Sequence, residues 1–329
     1  MLKSSHSTIL ILLGLLASGA LLLATLLGSE TFSLARLVTA LQQPASLDGQ
    51  LIWRLRLPRA GAGFMVGAML AIAGCLMQVL LRNPLADPYI LGVSGGAALF
   101  ALVGMTLGLG ASLIPPLALL GALISILLVF GLARGAGPWS GTRLLLTGVV
   151  TAAGWGALIS LVLASGSDNS LRGMLFWLMG DLSYARLPGW GVAILLLVLG
   201  AALALGRSLN VLGMGESTAR LLGESTQGLL WGIYFMASLL TATAVSVAGS
   251  IGFVGLIVPH LMRLLVGSDH RILLPAAALF GGTFLVLSDT LARTVVAPRQ
   301  LPVGVITALL GVPLFLLLLN RARLRAGAQ

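Results

Sequence analysis

Apolar positions run along this chain in ten long blocks, and the polar positions between them are mostly short clusters of Arg, Gly, Pro, Ser and Asp. The blocks cover roughly residues 9–27, 60–81, 90–109, 113–133, 142–164, 188–206, 226–248, 251–267, 272–296 and 302–320. Each is about 20 residues long, the length a helix needs to cross a hydrocarbon core of ~30 Å. The pattern shows neither a polar face at helical spacing nor strict alternation, so it predicts helices surrounded by lipid or by one another. The eighth block is broken by Gly249, Gly252, Gly255 and Pro259. No linker rich in Pro or Ser divides the chain, so it reads as one all-α polytopic membrane domain over 1–329 with ten transmembrane helices. An even number of spans puts both termini on one side. The first block exceeds the 7–15 residues of a signal-peptide core and leads to no small-residue cleavage site, so it is expected to be a membrane helix.

Composition supports that class. Hydrophobic residues make up 58% of the chain and charged residues 9%, against about a quarter charged in soluble domains. Mean hydropathy is +1.07. The net charge of +10 does not indicate nucleic acid, because the arginines stand at span ends, as membrane anchors and orientation signals do. With cytoplasmic termini, the inside carries Lys3, Arg82, Arg134, Arg143, Arg207, Arg220, Arg263, Arg271, Arg321, Arg323 and Arg325. The outside carries Arg36, Arg54, Arg56, Arg59, Arg172, Arg186, Arg293 and Arg299. Eleven against eight favours this orientation by a small margin.

Several functions are excluded. Lys3 is the only lysine, so no GxxxxGK[ST] loop exists to hold nucleotide phosphates. ATP-driven movement would need a separate ATPase chain. Cys75 is the only cysteine, and His6, His260 and His270 are scattered. No internal disulfide, metal site or resident cofactor is expected.

Small residues recur at four-residue spacing, as in Gly63, Gly67 and Ala71, and in Gly92 and Gly96. Such stripes let helix backbones approach closely in lipid. Ala73-Gly74 precedes Pro84 by the same ten-residue Gly-to-Pro step that separates Ala248-Gly249 from Pro259. Five spans lie between the copies, which predicts an inverted repeat of spans 2–5 and 7–10, a transporter architecture. GVSGG at 92–96 offers Ser94 as a nucleophile with His260 as base, the alternative of an intramembrane serine protease. An ion-driven secondary transporter would need acids deep in the spans, and Asp289, near the end of the ninth, is the nearest to that. Residues 207–225 form the longest polar interruption on the inner side. They read as one or two short helices outside the bilayer, suited to a partner's groove. Trp53-Arg54-Leu55-Arg56-Leu57-Pro58-Arg59 marks a helix start at the outer face. Arginine there anchors lipid phosphates or captures carboxylates of an acidic partner.

Taken together, RLPR at 56–59, VGAMLAIAG at 66–74, RNPLADPYILGVSGG at 82–96 and GESTARLLG at 215–223 resemble the FecCD-type permeases. So do SVAGSIGFVGLIVPHLMR at 246–263, SDHRILLP at 268–275, SDTLAR at 288–293 and LPVGVITALLGVPLF at 301–315. These permeases are membrane subunits of bacterial ABC importers for ferric siderophores, haem and vitamin B12. The resemblance covers nearly the whole chain. It implies a non-enzymatic, ten-span permease of the inner membrane. It also implies a homodimer with an axial path, a cytoplasmic ATPase pair, and a periplasmic binding protein delivering a metal chelate for alternating-access transport. GESTARLLG matches the family's coupling helices, which makes Gly215, Glu216, Ala219, Arg220 and Gly223 expected ATPase-coupling residues. Matched to the vitamin B12 importer of that family, Arg56, Arg59 and Arg293 are expected to dock acidic residues of the binding protein. The fifth span, 142–164, is expected to line the path as a mostly apolar wall.

Overall fold

The computed structural model describes residues 2–28, 31–134, 140–166, 168–183 and 185–326. The side chains of Lys3, Arg321, Arg323 and Arg325, which enter the charge count above, lie outside the described residues. Helices account for nearly everything described. They are α1 (Leu2–Leu26), α2 (Leu34–Gln42), α3 (Leu47–Leu51), α4 (Leu57–Leu80), α5 (Val93–Thr106), α6 (Ile114–Arg134), α7 (Gly141–Ser165) and α8 (Asp168–Leu178). There follow α9 (Gly189–Ala204), α10 (Gly206–Gly213), α11 (Glu216–Leu221), α12 (Thr226–Ala248), α13 (Val254–Val266), α14 (His270–Thr294) and α15 (Val303–Ala326).

Each of the ten expected segments is occupied by a helix. Six are long and apolar enough to cross a membrane, and α9 with α10 makes a seventh candidate bent by 63°. Of the other three, α15 shows an apolar stretch over Val303–Leu317. α5 and α13, at 14 and 13 residues, each span only about 20 Å at 1.5 Å per residue. Both start abruptly from a left-handed residue, Gly92 at φ 70° and Phe253 at φ 71°. This shared break, at the second helix of each proposed repeat, pairs the halves better than the Gly-to-Pro step does. Gly74 lies inside the continuous α4, whereas Gly249 terminates α12.

α4 is the centre of the bundle, buried from Met65 to Leu80 without interruption. A helix apolar on every side needs neighbours on every side, and α12, α13 and α14 supply them. The seam depends on missing side chains. A β-carbon on Gly67 would collide with the carbonyl oxygen of Gly281 in α14, and one on Gly74 with that of Gly255 in α13. In lipid, where apolar burial drives association only weakly, this close approach is what holds helices together. α7 is the opposite case. Its outward side, including Leu146, Val149, Val150 and Leu161, is bare in the single chain.

Candidate functional site

Two polar constellations stand at opposite ends of α14. At the first, α3 continues into α4 through a π-helical turn, Ile52–Arg56. The wider turn rotates the register, so Ile52 and Arg56 face inward while Trp53, Arg54 and Leu55 are exposed. Arg56 Nη1 donates to the carbonyl oxygens of Thr25, at 2.8 Å, and Leu26, at 3.1 Å. Its guanidinium also lies 4.5 Å from the Phe32 ring centre. These carbonyls are at the C-terminus of α1, beyond the reach of intrahelical amides, where the dipole favours a cation; Leu26 O also accepts from Phe32 N.

One turn on, Arg59 grips Asp289 of α14 with Nε at 2.9 Å and Nη2 at 2.8 Å. Arg59 Nη1 donates to Gln300 Oε1 at 2.9 Å, which also accepts from Ser183 Oγ. Arg293 Nη2 donates to Ala24 O at 3.1 Å. Its Nε is 3.2 Å from Asp289 Oδ2, an ion contact without hydrogen-bond alignment. The three expected docking arginines therefore gather in one cluster, but as internal fasteners. Arg56 and Arg293 are buried and only Arg59 keeps a partly open side. Sequence reasoning left Asp289 without a role, and the structure makes it the anion at the centre.

At the other end, the 207–225 interruption folds into α10 and α11. Gly215, at φ 120°, opens α11, and Gly223, at φ 85°, closes it. Gly223 N donates to Arg220 O and Glu224 N to Ala219 O. That is a Schellman motif, which needs a residue tolerant of the left-handed region. Glu216 and Arg220 form an i,i+4 ion pair at 2.5 Å. Arg220 Nε also donates to Thr226 Oγ1 at the start of α12. Ser208 Oγ donates to Glu224 Oε1, tying α10 to the turn beyond α11. The expected coupling residues are thus brought together, chiefly as an internal frame with Ala219 buried beneath it. What the frame presents was not anticipated. Met214, Leu221 and Leu222 project with 70%, 88% and 63% of their surface exposed. A leucine pair inside a polar, glycine-bounded connector was the available signal.

Between these ends, a cavity of about 590 Å³ opens at the α12–α13 break. Its wall is apolar, with Met179, Phe253, Val305, Leu309 and Pro313 among its residues, and α7 takes no part in it. α7 is fixed instead by Trp155 Nε1, which donates to Ser125 Oγ, which in turn donates to Gly92 O at the break before α5, both at 2.9 Å. Ser94 and His260 share no hydrogen bond among the described residues, so they form no nucleophile–base pair. Asp289, engaged by two arginines, is no free ion ligand.

The model of the FecCD transport family matches residues 12–321. The chain belongs to the FecCD transport family. Among relatives, the cobalamin import system permease protein BtuC of Halobacterium salinarum is 45% identical over 282 residues, covering 84% of this chain and 75% of the relative. The hemin transport system permease protein HmuU of Yersinia pestis is 42% identical over 283 residues, covering 83% and 84%. A solved metal-chelate type ABC transporter in an inward-facing conformation superposes with a TM-score of 0.83 at 33% identity, covering 96% of this chain and 99% of that one. This FecCD chain is accordingly an ABC-transporter permease subunit and not an enzyme, which removes the protease alternative. The FecCD fold places the Arg59–Asp289 cluster and the α10–α11 frame at the two ends of one bundle.

Proposed function

We propose that the chain is the permease of an importer that moves a metal chelate (a ferric siderophore, haem or a corrinoid) from periplasm to cytoplasm by alternating access. Two copies form the path across the bacterial inner membrane, with both termini cytoplasmic. A cytoplasmic ATPase pair binds the α10–α11 end, and a periplasmic binding protein delivers cargo at the Arg59–Asp289 end. Relatives named for cobalamin and hemin transport support the cargo class.

The observation that carries the reading is the α10–α11 frame. Gly215, Glu216, Ala219, Arg220 and Gly223 hold it rigid, and Met214, Leu221 and Leu222 form an uncovered apolar tip. Preordered apolar residues of this kind anchor interfaces, because little conformational entropy is lost on docking. At the opposite end, Arg59 meets an acid of the binding protein by exchanging Gln300, while Arg56 and Arg293 hold its seat. The test is co-purification of the permease with its ATPase subunit. Leu221→Asp with Leu222→Asp abolishes it while the permease stays monodisperse. Undiminished co-purification overturns the assignment.

A further inference from the structure

α14 touches both constellations, and Asn210 joins it to the α10–α11 frame. Asn210 of α10 accepts at Oδ1 from the His270 backbone N–H at 2.9 Å and from His270 Nδ1 at 2.6 Å. The second contact fixes the tautomer, since an amide oxygen only accepts and Nδ1 must carry the proton. Asn210 Nδ2 donates to Asp269 Oδ1 at 2.8 Å. Asp269 is the N-cap of α14 and also accepts from Arg271 N. Hydrogen bonds, that from Asn210 first, hold its carboxyl below the usual carboxylate range, so it stays an acceptor. His270 is 5% exposed. A β-carbon on Gly206 would sit 2.9 Å from Arg271 Cγ, so α10 rests directly on the first turn of α14. One side chain therefore satisfies the start of α14 at three points.

From His270 to Asp289 the helix runs 19 residues, roughly 29 Å at 1.5 Å per residue. Along that length it lies against α4 with the backbones of Gly67 and Gly281 in direct approach and the Phe64 ring of α4 packed on Gly282 beside them. Its far end is clamped to α4 by Arg59 and to α1 by Arg293. α14 runs unbroken between these ends through Pro275 and the Gly281-Gly282 pair, and a continuous helix fastened at both ends couples the displacement of one end to the other.

We propose that Asn210 is a positioning residue for energy coupling. It makes α14 the rod by which the state of the Arg59–Asp289 face reaches the α10–α11 frame. The proposal rests on the importer reading above and on the reciprocity of coupled sites. A partner bound at one face must change the affinity of a partner at the other by the same factor, typically 5–150-fold.

The experiment uses the complete complex in proteoliposomes, with basal ATP hydrolysis and its stimulation by loaded binding protein measured separately. Asn210→Ala removes the latch, and Asn210→Asp sets a carboxylate against Asp269. Both are expected to keep the ATPase subunit bound and basal hydrolysis near the wild-type rate, and to lose most of the stimulation. The exchange Asn210→Asp with Asp269→Ser removes the facing carboxylate and sets a hydroxyl there that both accepts from Arg271 N as an N-cap and donates to the carboxylate introduced at position 210. It is expected to recover most of the stimulation, which a merely disrupted fold would not do. Wild-type stimulation in the single variants, or no recovery in the exchange, overturns the proposal. A wild-type complex that the binding protein does not stimulate overturns the importer reading instead.

Discussion

At the residue scale, an arginine at a span end reads the same in sequence whether it faces water, lipid phosphate or a helix terminus. Arg56 and Arg293 show the difference that tertiary structure makes, because both finish α1 by donating to its last carbonyls. Among the described residues, Asp289 is the one acid paired with Arg59 and Arg293 in that cluster. Removing it leaves two cations without their anion in a partly desolvated site, and such losses cost about 3–5 kcal/mol. Asp289→Asn is therefore expected to lower the thermal unfolding midpoint of the purified permease clearly. The double variant Arg59→Gln, Asp289→Asn removes one cation together with the anion, and it is expected to be the more stable of the two. A single variant as stable as the parent would show that the cluster contributes no net stability.

At the element scale, what was legible was length. Apolar runs of about 20 residues announced helices, and the seventh, 226–248, coincides with α12. Where helices stop short was less visible, since αL breaks such as Phe253 carry no special residue type. The equal Gly-to-Pro steps were matched by spacing, while the structural correspondence lies in the left-handed starts of α5 and α13. Partners of polar residues were not legible at all, because Arg59 and Asp289 are 230 positions apart. Glycine stripes, by contrast, marked the real seam. Gly67 and Gly74 of α4 are each closed off by a facing backbone carbonyl, whereas the space beside Gly14 of α1 is open. Backbone cannot yield as a side chain does, so overpacking there exceeds the usual 1–3 kcal/mol. Gly67→Leu and Gly74→Leu should each collapse the monodisperse peak in size-exclusion chromatography, and Gly14→Leu should leave it intact. Equal behaviour of all three would remove the seam from the account of stability.

At the scale of the whole molecule, two features bear on assembly. Four of the eight arginines assigned to the outer face are occupied internally, Arg36 by Asp48 and Arg56, Arg59 and Arg293 in the cluster. On the inner face Arg220 and Arg263 are held likewise, by Glu216 and Gln78. The near balance of eleven and eight thus overstates how much free charge the outer face presents. The second feature is α7. Leu144, Gly148 and Thr151 face the bundle. At 100° per residue the opposite side carries Leu146, Val150, Ala153 and Ala157, its upper half small, and it meets nothing in the single chain. Small residues are what a tight helix contact in lipid uses, and large apolar ones suffice against acyl chains. If two copies meet across α7, Ala157 stands near the two-fold axis. The native Cys75 is buried in α4, and burial keeps its thiol inert to oxidant, so one introduced cysteine reports alone. Ala157→Cys is expected to cross-link to a dimer in native membranes under mild oxidation, and Leu197→Cys, on the exposed side of α9, is not. Cross-linking at Leu197 but not at Ala157 would move the interface away from α7 and take the shared path with it.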